Sequence, residues 1–179
     1  MTGTRLIHRT AAAPNQAIAE CLEAMLVAEL INPGSRLLVV SPWMSDFPAL
    51  DNRVNQWSAI EPSWAASFIP FSRVLRALAT RRVHVRIGCG PGERESDFVA
   101  RLERGLQSDG TQDNVAISRL PHEHRLFSHE KALVGDSWAI YGSMNLTYSG
   151  VQMNGELITV TTSSQTVASI ATELLGLFE

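Results

Sequence analysis

Short apolar segments alternate with amphipathic helical segments along most of this 179-residue chain. In the segment 36–40, the run Leu37-Leu38-Val39-Val40 is apolar throughout, as expected of a strand that is covered on both faces. Apolar residues at helical spacing occur on either side of it, in 15–31 and 72–80. This alternation predicts a three-layer α/β/α sandwich with a mixed central sheet.

The other predicted elements continue the pattern. Further strands are predicted at 83–87, 115–120, 132–134, 138–141 and 157–160, and further helices at 98–106 and from an N-cap at Ser164 to Phe178. The two-residue turn Gly135-Asp136 is predicted to join two of these strands as a hairpin. The segment 44–70 is rich in Asp, Asn, Pro, Ser and Trp and has no clear period, so we interpret it as a long insertion within one domain, 1–179.

Composition excludes several classes of protein. Apolar residues make up 45% and charged residues 18%, which excludes a disordered chain. A net charge of −3 excludes a generally basic surface, so any site for a polyanion must be local. Two cysteines are too few for a disulfide framework. Neither a membrane-spanning run nor a signal-peptide stretch is apparent, which predicts a cytoplasmic protein with no membrane partner.

The residues that point to chemistry lie late in the chain. His129 and Lys131 are two positions apart, so on a strand they project to the same side. If the hairpin forms, Gly142 and Ser143 reach the level of His129, and Ser143 and Asn145 can donate hydrogen bonds into the space above it. An ammonium group and neutral donors around an imidazole suit an anionic tetrahedral centre such as a phosphodiester.

The spacing of these residues resembles a known signature. The pattern His129-x-Lys131-x4-Asp136, followed by Gly142-Ser143-x-Asn145 and then Glu156, is similar to the His-Lys-Asp signature of the phospholipase D superfamily. The stretch 142–156 resembles the small bacterial nuclease members, and the motif covers 127–160 directly. The gap between Asp136 and Gly142 is one residue shorter than expected, and a shorter hairpin would shift Ser143.

The resemblance implies roles for these residues. His129 would attack phosphorus and form a phosphohistidine, while Lys131 and Asn145 would hold the nonbridging oxygens. Glu156 would orient a catalytic imidazole, and Asp136 would be a hydrogen-bonding anchor near the turn. Together with Ser143, these are the predicted catalytic residues.

The reaction also needs a second imidazole, because the leaving oxygen must receive a proton. The chain holds one complete motif, and His84-Val85-Arg86 shares its spacing without the residues that should follow, so we interpret it as a coincidence. A two-fold homodimer would place His129 opposite its counterpart, and single-motif members resemble half of a two-motif chain. No metal or other cofactor is expected, since Lys131 and Asn145 from both subunits would supply the electrostatic stabilisation.

Substrate contacts are predicted less directly. His122-Glu123-His124 lacks a third metal ligand, so a solvated loop is favoured, but its proximity to the motif makes His124 and Arg125 candidate substrate-binding residues. Three tryptophans on or beside the insertion could stack on bases, although packing against the core is favoured; they are Trp43, Trp57 and Trp64. Of these, Trp43 is kept as a candidate substrate-binding residue. Weaker candidates for lining the site are Asp46, Asp51 and Asn52.

Together these observations predict a metal-independent phosphodiesterase, a nuclease that cleaves DNA within a homodimeric active site. Because the chain carries no separate DNA-binding module, we expect it to work with other proteins of a bacterial defence or restriction complex. One alternative is an enzyme that cleaves phospholipids or transfers phosphatidyl groups, which would need an apolar entry surface or a membrane helix. The other is a catalytically silent binding or scaffold subunit.

Overall fold

A computed structural model describes residues 3–12, 15–119 and 129–178. The strands are β1 (Thr4–Arg9), β2 (Arg36–Ser41), β3 (Pro48–Asp51), β4 (Phe68–Pro70), β5 (His84–Cys89), β6 (Val115–Arg119), β7 (Ala132–Val134), β8 (Ala139–Gly142) and β9 (Glu156–Thr161). The helices are α1 (Ala17–Ile31), α2 (Phe71–Thr80), α3 (Glu93–Asp109), α4 (Tyr148–Gln152) and α5 (Ser164–Leu175).

Seven of the strands form one mixed sheet in the order β1-β9-β8-β7-β2-β5-β6. Strands β2, β5 and β6 run parallel to one another, whereas β7, β8, β9 and β1 pair in antiparallel fashion. The predicted mixed sheet is therefore confirmed. The parallel half comes from the alternating strands and helices early in the chain, and the antiparallel half contains the predicted hairpin.

Helices cover both faces of this sheet. In β2, Leu37 and Val39 pack in a core with side chains of α1, α2 and α3, whereas Leu38 and Val40 pack with α5. All four side chains have no exposed surface, so β2 is covered on both sides, as its unbroken apolar run predicted. The three-layer α/β/α arrangement is confirmed.

Besides the two short strands of the insertion, β3 and β4, the sequence-based prediction lacks strand β1 and helix α4. Strand β1 lacks an apolar run, and its place in the sheet comes from pairing with β9, from Thr4 opposite Thr161 to Arg9 opposite Glu156. Helix α4 is five residues long and begins after Thr147, whose hydroxyl accepts a hydrogen bond from the Gly150 N–H. Neither element is long enough or periodic enough to be recognised locally.

Two predicted boundaries are wrong by a few residues. Val134 pairs with Ala139, so the hairpin turn spans residues 135–138 rather than two residues. Within this turn the Gly135 N–H donates to the Trp138 carbonyl oxygen at 3.0 Å, and the buried Trp138 indole N–H donates to Glu29 at 2.6 Å. Helix α5 has Ser163 as its N-cap, not Ser164, and it ends at Leu175, with Phe178 in a following 3₁₀ turn.

The predicted insertion, 44–70, contains the two-stranded sheet formed by β3 and β4. It packs on the main core through side chains that are almost completely buried: Phe47, Leu50, Trp64 and Ile69. Trp57 is half-buried, and its indole N–H donates to Glu23 at 3.1 Å. The packing role that we favoured for Trp57 and Trp64 is thus confirmed.

Candidate active site

The predicted catalytic residues, apart from Asp136, lie at one edge of the main sheet. Residue 129 and Lys131 precede β7, which runs antiparallel to β2, so they lie beside the carboxyl end of β2. Ser143 follows β8 and Glu156 opens β9, and the pairing of these two strands brings both residues to the same edge. Three short segments, 129–131, 143–145 and the start of β9, therefore meet beside the end of β2.

Lys131 is half-buried, whereas His129 is exposed. The Lys131 ammonium group donates a hydrogen bond to the backbone carbonyl oxygen of His129 at 2.6 Å. Burial lowers the pKa of Lys131, and the negative charge of Glu156 partly opposes that change. The site thus presents an accessible imidazole next to a cation that is incompletely hydrated.

Ser143 and Glu156 are joined directly. The Ser143 hydroxyl donates to a carboxylate oxygen of Glu156, whose side chain is buried. Ser143 also exchanges two hydrogen bonds with Leu157, through its N–H to the Leu157 carbonyl and through its Oγ from the Leu157 N–H, each at 3.0 Å. The shortened gap before Gly142 therefore leaves Ser143 at the sheet edge, because Gly142 donates to the Lys131 carbonyl at 3.2 Å.

Asn145 is held near this edge by a residue that the sequence reasoning missed. Ser41, at the end of β2, accepts a hydrogen bond from the Leu146 N–H at 3.1 Å and donates to the Trp43 carbonyl at 2.7 Å. Its Oγ also lies 3.5 Å from the Asn145 side-chain oxygen. A polar residue at the end of an otherwise apolar strand was the available signal, because such strand ends commonly carry sites in α/β folds.

The indole ring of Trp43 lies beside the imidazole ring of His129. The two ring centroids are 6.4 Å apart at an interplanar angle of 66°, and 46% of Trp43 is exposed. The next residue is fixed from the other side, since the Met44 N–H donates to the buried Glu95 at 3.0 Å. Trp43 therefore has a defined position with an accessible ring, and its substrate contact stays a prediction.

The remaining predicted residues are not brought to this edge. Asp136 lies at the opposite end of β7, where it accepts hydrogen bonds from the N–H and hydroxyl of Ser35 and pairs with Arg36 at 3.4 Å. His124 and Arg125 lie outside the described residues. Asp46 and Asn52 are engaged in holding the insertion, through Ser72 and through residues 57 and 65 respectively.

Asp51 is likewise occupied by a local interaction. The Arg53 side chain and N–H hydrogen-bond to it and lower the pKa of Asp51 to about 2. It therefore stays ionised beside Arg53, where it stabilises the end of β3. The three weaker candidates for site lining thus have structural partners instead.

The described residues provide neither a metal-binding cluster nor a membrane-spanning helix. Within 3–12, 15–119 and 129–178, no three His, Cys, Asp or Glu side chains are grouped so that they could hold a metal ion. The His122-Glu123-His124 segment lies outside those ranges. Over the same residues, no helix has the length and apolar character needed to cross a membrane.

The side chains at this edge form a site suited to a tetrahedral anion. An exposed imidazole, an ammonium group, a hydroxyl bound to a buried carboxylate and an amide occupy one end of a mixed sheet in an α/β/α sandwich. Cations and neutral donors can stabilise the oxygens of a tetrahedral anion, while the imidazole can act as nucleophile or base.

Comparison with known proteins identifies the family. The family model described as cardiolipin synthase, PLD-like domain, matches residues 65–177. The chain therefore belongs to the phospholipase D superfamily, as the motif predicted. A comparison with curated proteins finds no match.

Solved structures share the fold at low sequence identity. NucT from Helicobacter pylori is 11% identical with a TM-score of 0.60, and the alignment covers 99% of this chain and 96% of that one. Nuc from Salmonella typhimurium, a phospholipase D family member, is 11% identical with a TM-score of 0.61 over 98% and 93% of the two chains. Polyphosphate kinase from Porphyromonas gingivalis is 12% identical with a TM-score of 0.59, over 95% of this chain and 25% of that one.

Proposed function

We propose that this protein is a metal-independent phosphodiesterase that acts on nucleic acid, with His129 as its nucleophile. The observation that carries this proposal is the convergence of Lys131, Ser143, Asn145 and Glu156 around the edge where His129 is exposed. The exposed ring of Trp43 adds a surface on which a base can stack next to the nucleophile. Cleavage of DNA and association with other proteins of a defence complex stay predictions.

The chemistry takes two displacement steps. In the first, a ring nitrogen of His129 forms a bond to phosphorus while the bond to the leaving oxygen breaks, and a second imidazole gives its proton to that oxygen. In the second, water attacks the phosphohistidine, the same second imidazole takes the water proton, and His129 is released. Lys131 and Asn145 bind the nonbridging oxygens, whose negative charge must be stabilised in both steps.

The second imidazole comes from His129 of the partner subunit in a two-fold homodimer. A second subunit can approach His129 at this sheet edge, since the His129 side chain is exposed. A two-fold axis next to this edge places two equivalent imidazoles on either side of one phosphodiester. One acts as nucleophile while the other, in the opposite protonation state, acts as acid.

A phosphatidyl-transferring enzyme is the second candidate, and two observations favour it. The matching family model is described by a lipid-synthesising enzyme, cardiolipin synthase. Two apolar side chains near Glu156 are also largely exposed, 59% for Met153 and 45% for Leu157. Apolar surface beside a phosphodiester site is what a lipid substrate requires.

A substrate panel separates these functions. Purified protein is incubated in EDTA with plasmid DNA, single-stranded DNA, RNA or phospholipid vesicles. We expect cleavage of a nucleic acid that His129→Ala abolishes, while His84→Ala, which removes an exposed histidine from the opposite end of the sheet, leaves the rate unchanged. Turnover of phospholipid alone would favour the second candidate, and no turnover of any substrate would indicate a silent scaffold.

The dimeric mechanism has its own test. Wild-type and His129→Ala subunits are mixed in equal amounts, allowed to exchange, and assayed at constant total protein. If each reaction needs two imidazoles, only wild-type dimers are active and about one quarter of the full rate remains. A rate of about one half, together with a monomer in sedimentation, would exclude the shared site.

A further inference from the structure

Arg9, the last residue of β1, is the largest charged side chain within the described residues that has no exposed surface. A charge in such a position needs strong partners, because it has lost its hydration. Its guanidinium group donates to three backbone carbonyl oxygens: those of Gly150 at 2.6 Å, Val151 at 2.5 Å and Asn154 at 2.7 Å. All three belong to the segment that connects β8 to β9.

This segment contains Asn145 and leads into Glu156, two of the predicted catalytic residues. Within it, Gly150 of α4 packs so closely on Asn145 that a Cβ atom would overlap the Asn145 carbonyl oxygen. At its end, Asn154 precedes Glu156 by two residues, and a Cβ atom on Gly155 would lie 3.2 Å from the backbone of residue 11. By binding the carbonyls of residues 150, 151 and 154, Arg9 ties the residue that packs on Asn145 to the residues that lead into Glu156.

Arg9 also acts on Glu156 through its charge. The two residues are directly opposite each other in the β1–β9 pairing. Burial lowers the pKa of Arg9 and the Glu156 carboxylate raises it, so the two side chains are close enough to interact electrostatically. The Glu156 carboxylate also raises the pKa of Lys131. The Glu156 carboxylate therefore interacts with two cationic side chains: the buried Arg9 guanidinium group, which does not lose its proton in proteins, and the half-buried Lys131 ammonium group.

We propose that Arg9 is a positioning residue for the site: it holds the connecting segment and keeps the Glu156 carboxylate beside Lys131. This inference rests on the proposed function in treating Glu156 and Lys131 as parts of the site. Arg9 touches no substrate in this scheme and acts through Glu156.

Arg81 provides a matched control. It also donates to two backbone carbonyls, those of Ala77 at 2.7 Å and Ile60 at 2.6 Å. It follows α2 and lies before the amino end of β5, so it is at the edge of the sheet opposite the site. Loss of Arg81 removes comparable backbone hydrogen bonds without affecting Glu156.

The test uses the fact that Lys131 is the only lysine in the chain. An amine-reactive reagent labels it at a rate set by the fraction of free amine, and peptide mass spectrometry separates that signal from the N-terminal amine. Because Glu156 raises the pKa of Lys131, displacement of Glu156 increases the free amine and speeds labelling at fixed pH. Glu156→Gln gives the rate expected when the carboxylate charge is lost altogether.

We expect Arg9→Met to speed labelling about three- to tenfold and to approach the Glu156→Gln rate. Arg81→Met should stay within about twofold of wild type. Arg9→Lys keeps the charge but not the three-carbonyl geometry, so its labelling rate should lie between those of wild type and Glu156→Gln. If the methionine variant folds poorly, a rate for Arg9→Lys no faster than that of Arg81→Met would overturn the proposal. Slower or unchanged labelling in Arg9→Met, or an equal effect in Arg81→Met, would overturn the proposal. Labelling needs no substrate, so the result is independent of whether the protein cleaves a phosphodiester.

Discussion

Gly142, the residue before Ser143, has a backbone conformation and surroundings that exclude a side chain. Its φ is +150°, which residues with a Cβ atom rarely adopt. A Cβ atom there would overlap the Leu157 carbonyl oxygen and lie 2.9 Å from the Ile158 Cα. Both neighbours are backbone atoms of β9, so they cannot move without disturbing the β8–β9 pairing and the Ser143 hydrogen bonds.

Gly142→Ala should lower the free energy of unfolding for two reasons, backbone strain and steric overlap, and substitutions at other glycines measure each of them separately. Gly110 has φ +67° and no atom within 4 Å of a Cβ, so Gly110→Ala should cost only backbone strain, about 1 kcal/mol of unfolding free energy. Gly150 has a Cβ position that overlaps the Asn145 carbonyl, so Gly150→Ala should cost about 2 kcal/mol by overpacking. Gly176 has neither problem, and Gly176→Ala should change stability by less than about 0.5 kcal/mol.

Gly142→Ala combines both effects, so we expect a loss of about 3 to 4 kcal/mol. Urea unfolding followed by circular dichroism measures all four variants, with the slope of the transition checked for constancy. The phosphodiesterase rate of Gly142→Ala should also fall, because the change displaces Ser143 from Glu156. A Gly142→Ala variant within about 1 kcal/mol of Gly110→Ala would show that the close approach to β9 is not a constraint and would refute this reasoning.

Three further predictions concern buried and titrating groups. Trp138→Phe removes the indole donor to the buried Glu29 carboxylate and should lower the free energy of unfolding by about 2 kcal/mol in urea titrations, with Glu29→Gln/Trp138→Phe recovering part of it. Because burial lowers the pKa of Lys131 in the folded state, the unfolded chain binds more protons between that lowered value and about 10.4, so stability rises with pH there. Lys131→Met should abolish both that slope and turnover, and an unchanged slope would contradict the assignment. Under the proposed mechanism, the rate of phosphodiester cleavage should follow a bell-shaped curve in pH, since one imidazole must be neutral to attack while its counterpart must be charged to donate; a rate that increases steadily with pH would exclude the two-imidazole scheme.

The sequence was sufficient for the elements whose signal is local. The apolar run of β2 and the helical periodicity of α1, α2 and α3 reflect burial of whole faces, which the pattern of apolar residues records directly. The motif could also be recognised from the sequence, because its side chains occur in a fixed order and at fixed spacing on a hairpin. These features predicted both the layered fold and the family.

The structure was needed wherever a residue depends on a partner far along the chain. Strand β1 has little strand character of its own and is defined by β9, more than a hundred residues away. Ser41 contacts Asn145 and Leu146, which are also more than a hundred residues away in the sequence, and Arg9 hydrogen-bonds to the segment before Glu156. Such contacts leave no periodic pattern in the sequence, since each depends on one polar residue and on hydrogen-bond partners that are distant along the chain.

The amino-acid sequence by itself therefore determined which side chains are available for chemistry and that they lie on strands of a layered α/β domain. Tertiary structure alone decided which of them meet: His129, Lys131, Ser143 and Glu156 at one sheet edge, and Asp136 at the other end of β7. The physical reason is that periodicity encodes burial, whereas the register between strands encodes proximity, and register is fixed only when the whole sheet has formed.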